Sequence, residues 1–445
     1  MEILYIANLA IAFALLLWPL WFSRRYLHLP FLNPFTIVLV IGMPAQLMKL
    51  FAGPLILIDE GLFDPGYQYA LLMGSLLVMA QTGGLIFFYH WFRRTRIDRQ
   101  LPLQSIVLSS RDLARGAWFF AVVCLGALYM LASAEFGVLN WLANPRTGYQ
   151  LYREGQGHWY ALAISALATS MVLAFLTRPK ARSLLWQAPL YLALAYLLGS
   201  KTSLLAIFTS LLIFLWFLRW KHLTRLMILG APVIFLLLVW NLYLAIADAF
   251  DLQAVFEYFD YYKNAADYYS EVLAGNIDLY HGEITSTSLW AYVPRAIWPS
   301  KPFVYGILIV NEIFYPGQAE LTNTPAFGGA VEQFADFGVP GVLVFGFFSV
   351  QSLVTALMSY LIFKRPGVRL NKVTLATVVL MIVQFAPGFG TFFPGALYLA
   401  LLGVVVIILR LLRRRRRARN AVAQRVASTP GSSDSVQALS APHLD

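Results

Sequence analysis

Charge is scarce in this chain. Only 12% of its 445 residues are Asp, Glu, Lys or Arg, about half the roughly 25% of a soluble globular domain. Cysteine is rarer still: the single Cys124 lies in an apolar run, which excludes a disulfide framework and a cysteine-ligated zinc site. No Asp-x-Asp pair occurs, disfavouring a transferase that works through a metal and a nucleotide sugar. No His-x-x-x-His or HExxH spacing offers a zinc site. Gly199-Ser-Lys-Thr202 has the end of a phosphate-binding loop but lacks its upstream glycine. The first apolar stretch, Ile3 to Phe22, ends in Arg24-Arg25 without a small-residue cleavage site, so no cleavable signal peptide is expected.

What the chain has in abundance is apolar length. It is 59% hydrophobic, and runs of about 20 apolar residues, enough to cross a bilayer, recur from end to end. A soluble enzyme, a secreted disulfide scaffold and a nucleic-acid-binding domain are excluded. The reading is an all-α polytopic membrane protein of about 11 transmembrane helices, near 3–22, 35–58, 67–92, 116–136, 159–176, 184–199, 203–218, 226–246, 339–363, 373–390 and 395–412. The net charge of +11 comes in short clusters between these spans, which orient helices and attract anionic headgroups. The segments after alternate spans, from Arg24-Arg25 to Arg410–Arg425, hold 26 of the 33 Lys and Arg. By the positive-inside rule that face is cytoplasmic, with the N-terminus outside and the C-terminus inside. The assignment depends on a chain break at Gly199–Thr202. Trp21, Trp91, Trp186 and Trp220 fall at the expected cytoplasmic ends, as interfacial anchors do.

Four regions follow: N-terminal membrane helices over 1–246 (about eight spans), one large extracytoplasmic loop over 247–338, C-terminal helices over 339–412 (about three spans), and a basic then disordered cytoplasmic tail over 413–445. The loop carries 12 of the 22 acidic residues against only Lys263, Arg295 and Lys301. Loops of this length are usually functional. From Phe250 to Tyr269 aromatic residues recur at helical spacing among acids. That pattern suits an amphipathic helix lying in the interface, or sugar binding through rings and carboxylates. Phe303 to Tyr315 is apolar but too short to span, and is expected in the interface or re-entering.

The most specific stretch is Pro294-Arg-Ala-Ile-Trp-Pro-Ser-Lys-Pro302. Three prolines in nine residues bar a regular helix and stiffen the path, holding Arg295 and Lys301 at the outer surface. Two fixed cations there match a diphosphate, which Arg grips bidentately and Lys meets as a point charge. Lys201, at the break between two spans, is a third cation for the same group.

The pattern resembles the bacterial oligosaccharide repeat-unit polymerases of the O-antigen polymerase (Wzy) type. It is carried by Pro294, Arg295, Trp298, Pro299, Lys301 and Pro302, then by Gly328-Gly-Ala-Val-Glu-Gln-Phe-Ala-Asp-Phe-Gly338 with Pro340-Gly341. A looser match, Gly199-Ser-Lys-Thr202, has Lys for Arg and Thr for Gly. The resemblance covers roughly 190–400. It implies a glycosyltransferase of GT-C-like architecture in a bacterial inner membrane, without metal or other cofactor. Its substrates would be undecaprenyl-pyrophosphate-linked oligosaccharides, joined into O-antigen or exopolysaccharide at the outer face. A chain-length regulator and a flippase of the same pathway would be partners, beside the lipid bilayer and with no nucleic acid. A ligase that moves finished glycan, and a flippase or transporter of lipid-linked oligosaccharide, are the alternatives. Such a transfer needs its leaving diphosphate neutralised and its acceptor hydroxyl activated. Candidate bases are His281, Glu283, Glu332 and Asp336. Glu283 or His281 is preferred, leaving Trp298, Glu332 and Asp336 to contact the loop and the sugar.

Overall fold

The structure is a computed structural model that describes residues 2–29, 64–96, 110–135, 137–146, 157–177, 181–200, 261–293, 295, 297–319 and 324–363, with the isolated positions 204, 207, 211 and 411. Apart from those isolated positions, the expected spans at 35–58, 203–218, 226–246, 373–390 and 395–412 lie outside these residues, as does the tail. So do the motif positions Lys201, Thr202, Pro294 and Ala296. Among the described residues there is no strand, and four helical stretches are long and apolar enough to cross a membrane: Glu2–Tyr26, Pro65–Thr95, Ser110–Ala134 and Gly157–Phe175.

In chain order the helices are α1 (Glu2–Trp21), α2 (Pro65–Thr95), α3 (Ser110–Glu135), α4 (Val138–Ala143), α5 (Gly157–Leu176), α6 (Ala181–Leu197), α7 (Tyr261–Leu273), α8 (Glu283–Thr287), α9 (Leu308–Phe314), α10 (Val331–Phe347) and α11 (Val350–Phe363). A 3₁₀ turn, Ser288–Tyr292, continues α8.

Helix α2 is the hub, packed by α1, α7, α10 and α11. It starts where Asp64 accepts from the Tyr67 amide at 3.1 Å and Pro65 takes the first helical position, a paired start signal. Small residues let its neighbours come close. A Cβ on Gly84 would collide with the backbone of Phe347 on α10, and one on Gly66 would meet Ser270 and Ala266 of α7. In an otherwise apolar contact, Asn8 Nδ2 of α1 donates to the carbonyl and side-chain oxygens of Gln68 on α2, at 3.1 and 3.0 Å.

A second group packs α3 against α5, with α6 closing over both around Met171, Phe175 and Leu194. Ser170 ties them together, donating to the Ala117 carbonyl at 2.7 Å and meeting the Tyr191 hydroxyl at 3.0 Å. Helix α6 stops at Leu197, whose carbonyl accepts from the Trp141 indole at 2.8 Å, and Gly199 takes a φ of +67°. Helix α6 therefore ends at the glycine where a break is expected, and the residues from 201 to 203 lie outside the described ones.

Residues 247–260 of the long segment over 247–338 lie outside the described residues, and the rest of it differs from expectation in its packing. Helix α7 packs its aromatic face on protein, against α2 and Phe334 of α10: Tyr268 and Tyr269 are fully buried, and Tyr269 donates to the Gly329 carbonyl at 2.6 Å. Its aromatic stripe finds Ala70, Met73 and Phe334 to cover it, and each large ring removed from water is worth about 1.5–3 kcal/mol. The stretch Phe303 to Tyr315 likewise folds inward, with Val310 of α9 buried in the same cluster. The run read as one span over 339–363 is two helices, because Ser349 accepts from the Ser352 amide at 3.2 Å and caps a new start. Helix α10 begins at Val331, inside the stretch read as loop, and kinks at Gly338 (φ 63°, ψ −150°).

Candidate functional site

Helix α10 carries Glu332 and Asp336 four residues apart, on one face. Asp336 is fully buried, and its use is plain from its partners. Oδ1 accepts from the Ile284 amide at 2.9 Å, while Oδ2 accepts from the Thr285 amide at 2.7 Å and the Thr285 hydroxyl at 2.5 Å. Those amides are free donors of the first turn of α8, so a carboxylate there satisfies them and meets the positive end of the helix. Two main-chain bonds extend the join, Tyr280 N to Ala335 O at 2.9 Å and His281 N to Asp336 O at 3.0 Å. The chain makes the turn through two left-handed residues, His281 (φ +48°) and Gly282 (φ +98°). For histidine that conformation is uncommon, and the neighbours must hold it in place. His281 and Glu283 both stand exposed on the turn.

Glu332 is in the opposite condition. It is half-buried, and among the described residues no donor reaches its carboxyl. Burial first, and the Asp336 carboxylate second, push its pKa up to about 7. It therefore exchanges a proton near neutrality, where a carboxyl normally stays ionised.

From the turn, α8 and the 3₁₀ segment form one rod. The seven steps from Glu283 to Trp290, at about 1.5–2.0 Å rise each, set the two ends about 10–14 Å apart. Thr287 pins the rod to the next stretch by accepting from the Gly306 amide at 2.9 Å. The far end holds the cations. Lys301 Nζ donates to the carbonyls of Val293 at 2.9 Å and Trp290 at 3.3 Å. Arg295 donates to the carbonyls of Lys301 at 2.5 Å and Pro302 at 3.3 Å, and its guanidinium lies 3.9 Å from the Phe303 ring centre. Trp298 packs edge-on against Trp290 at 5.2 Å and donates to Ser300 Oγ at 3.1 Å. The proline-braced loop is thus laced by its own two cations.

Those bonds leave capacity unused. Lysine has three donors and arginine five, so one on Lys301 and three on Arg295 remain. Lys301 is only 8% exposed, and its pKa is lowered by burial and then by the neighbouring Arg295 charge. Among the described residues neither cation forms a salt bridge. Two adjacent, partly desolvated positive charges without a counter-charge are costly, and an anion bridging them removes that cost.

The site residues expected from sequence therefore fall at two ends of one rod. His281, Glu283, Glu332 and Asp336 gather at the α10 end, while Arg295, Lys301 and Trp298 gather at the other. Sequence reasoning missed Thr285, whose hydroxyl and amide both bind Asp336. Thr285 follows Glu283 by two residues as an ordinary helix-start residue, a signal too common to single out.

No protein-family model matches the chain, and no solved structure matches it. Two curated relatives do, the O-antigen polymerases of Salmonella typhimurium and Salmonella typhi. Each is 26% identical over 216 residues, 48% of this chain and 51% of the relative. The chain spans about half the length of the curated relatives it matches, and it is similar to O-antigen polymerases, as its proline-braced motif implied.

Proposed function

We propose that this protein polymerises undecaprenyl-pyrophosphate-linked oligosaccharide repeat units, for O-antigen or exopolysaccharide, by glycosyl transfer at the outer face of a bacterial inner membrane. One observation carries the reading: Arg295 and Lys301 are fixed side by side, with donors to spare and no carboxylate opposite them among the described residues. A lipid diphosphate is the anion that fits. It is bidentate toward arginine and gains negative charge as the bond to the sugar breaks, so the same two cations bind it more strongly in the transition state than before. Lys201 belongs to the same proposal as a third cation.

The acceptor hydroxyl must lose a proton as its oxygen attacks the anomeric carbon. Of the four candidate bases, Asp336 is committed to the α8 turn. Glu332 exchanges protons near neutrality, the condition that general base catalysis favours. We assign the base to Glu332, in place of the Glu283 or His281 preferred from sequence, and leave those two exposed groups to bind sugar hydroxyls at the α10 end, with Trp298 at the cation end. The new bond joins the acceptor oxygen to the anomeric carbon. The electron pair of the broken bond leaves with the diphosphate, and Glu332 releases its proton to solvent.

Expression in a host lacking its own polymerase tests the proposal, with surface glycans separated by length. The wild-type chain restores a ladder of long glycans, and Arg295→Ala inserts normally but yields single repeats. A normal ladder from that variant contradicts the assignment. Transfer lost with chain lengths preserved favours a ligase, and substrate movement without bond formation favours a transporter.

A further inference from the structure

We infer that Asp336 is a positioning residue: through Thr285 it fastens the turn that bears His281 and Glu283, and the rod that leads to the cation pair, onto the first turns of α10. The inference rests on the polymerase reading only for the reaction it positions; the fastening itself stands on geometry. Three donors, from Ile284 and Thr285, converge on one fully buried carboxylate. All come from residues more than fifty positions away in sequence. Together with the main-chain bonds from Tyr280 and His281, they form the join between α10 and the start of α8. Helix α10 is itself set against α2 through Gly346, where a Cβ would come within 2.8 Å of Ala80.

The placement of the far end follows from the near end. The rod is continuous from Glu283 to Tyr292, and Lys301 binds the carbonyls at its close. A rotation of the first turn of α8 therefore swings the cations, with the rod as lever. The carboxylate is fully buried, so it reaches no substrate; its effect passes through the groups it holds. An amide in its place keeps one accepting oxygen, but turns an N–H toward the Thr285 donors and leaves them unpaired.

The test uses the full-length protein, as wild type, Asp336→Asn, Thr285→Val and the double variant. Initial rates are measured with lipid-diphosphate-linked repeats, and amide hydrogen exchange is followed over residues 280–288. The expected result for Asp336→Asn is a fall in kcat of about a hundredfold, the scale of a misplaced reacting group. KM stays within about twofold, and exchange at Ile284 and Thr285 is faster. Thr285→Val alone lowers kcat less, and adds nothing in the Asp336→Asn background, because both changes remove one interaction. Additive losses, or a raised KM with exchange unchanged, mean that Asp336 reads the substrate and overturn the inference. If Asp336→Asn does not fold, Thr285→Val decides by the same two readouts: a lower kcat with faster exchange supports the inference, and neither change overturns it. If the wild-type protein itself makes no polymer, the polymerase reading fails, and exchange alone decides whether Asp336 holds the turn.

Discussion

The two ends of the α8 rod treat charge in opposite ways. At the α10 end, Asp336 is buried deeper than any other acid among the described residues, yet it receives three hydrogen bonds. Its charge is used up in holding the fold. At the other end, Arg295 and Lys301 give several of their protons to carbonyls of their own loop but meet no carboxylate among the described residues. A satisfied buried charge fixes structure, while an unsatisfied one calls for a ligand. Glu332 stands between these conditions, one helical turn from Asp336 and without a partner of its own among the described residues.

The comparison is open to attack at each point. The largest effect is expected at the cation end. Replacing both Arg295 and Lys301 by Gln removes the groups that meet the departing diphosphate, and polymerisation falls by at least about a thousandfold, read as the disappearance of long glycans. Glu332→Gln comes next. Removing a general base costs about a hundredfold to ten-thousandfold, with the larger loss confined to higher pH. A carboxyl raised to about 7 by burial and by Asp336 is ionised above that value and protonated below it, so the wild-type rate falls as the pH drops through about 7. The Gln variant shows no such limb. A flat wild-type profile removes Glu332 as the base.

A smaller effect tests the platform on which both ends stand. Gly84→Ala forces α2 away from the Phe347 backbone, whereas a Cβ on Gly83 sits 3.8 Å from the Phe347 ring in ordinary contact. The first change should destabilise the detergent-solubilised protein by about 1–3 kcal/mol, and the second should leave its thermal midpoint nearly unchanged. Equal midpoints contradict the close approach of α2 and α10.

Much of this could be read in the residues themselves. The long apolar runs located α2, α5 and α6 to within three residues and the end of α3 to within one, though α3 starts six residues early at Ser110, because burial in lipid and burial in a helical core demand the same composition. The break at Gly199 showed in its glycine-serine sequence. The cation pair showed in its prolines, because three rings in nine residues leave the backbone few alternatives. What was not legible was docking. The aromatic stripe of α7 has the same period whether it faces a bilayer or α2 and α10. The role of Asp336 depends on Ile284 and Thr285, and no local pattern connects them to it. The start of α11 turned on one hydrogen bond, from the Ser352 amide to Ser349, inside a run that composition reads as continuous.

The most direct test of the cation pair is binding of undecaprenyl diphosphate against undecaprenyl monophosphate to the purified protein, followed by tryptophan fluorescence, since Trp290 and Trp298 flank the loop. The account predicts that wild type prefers the diphosphate, that added salt weakens the preference, and that Arg295→Gln abolishes it. Equal binding of the two lipids, or a preference that survives Arg295→Gln, contradicts it.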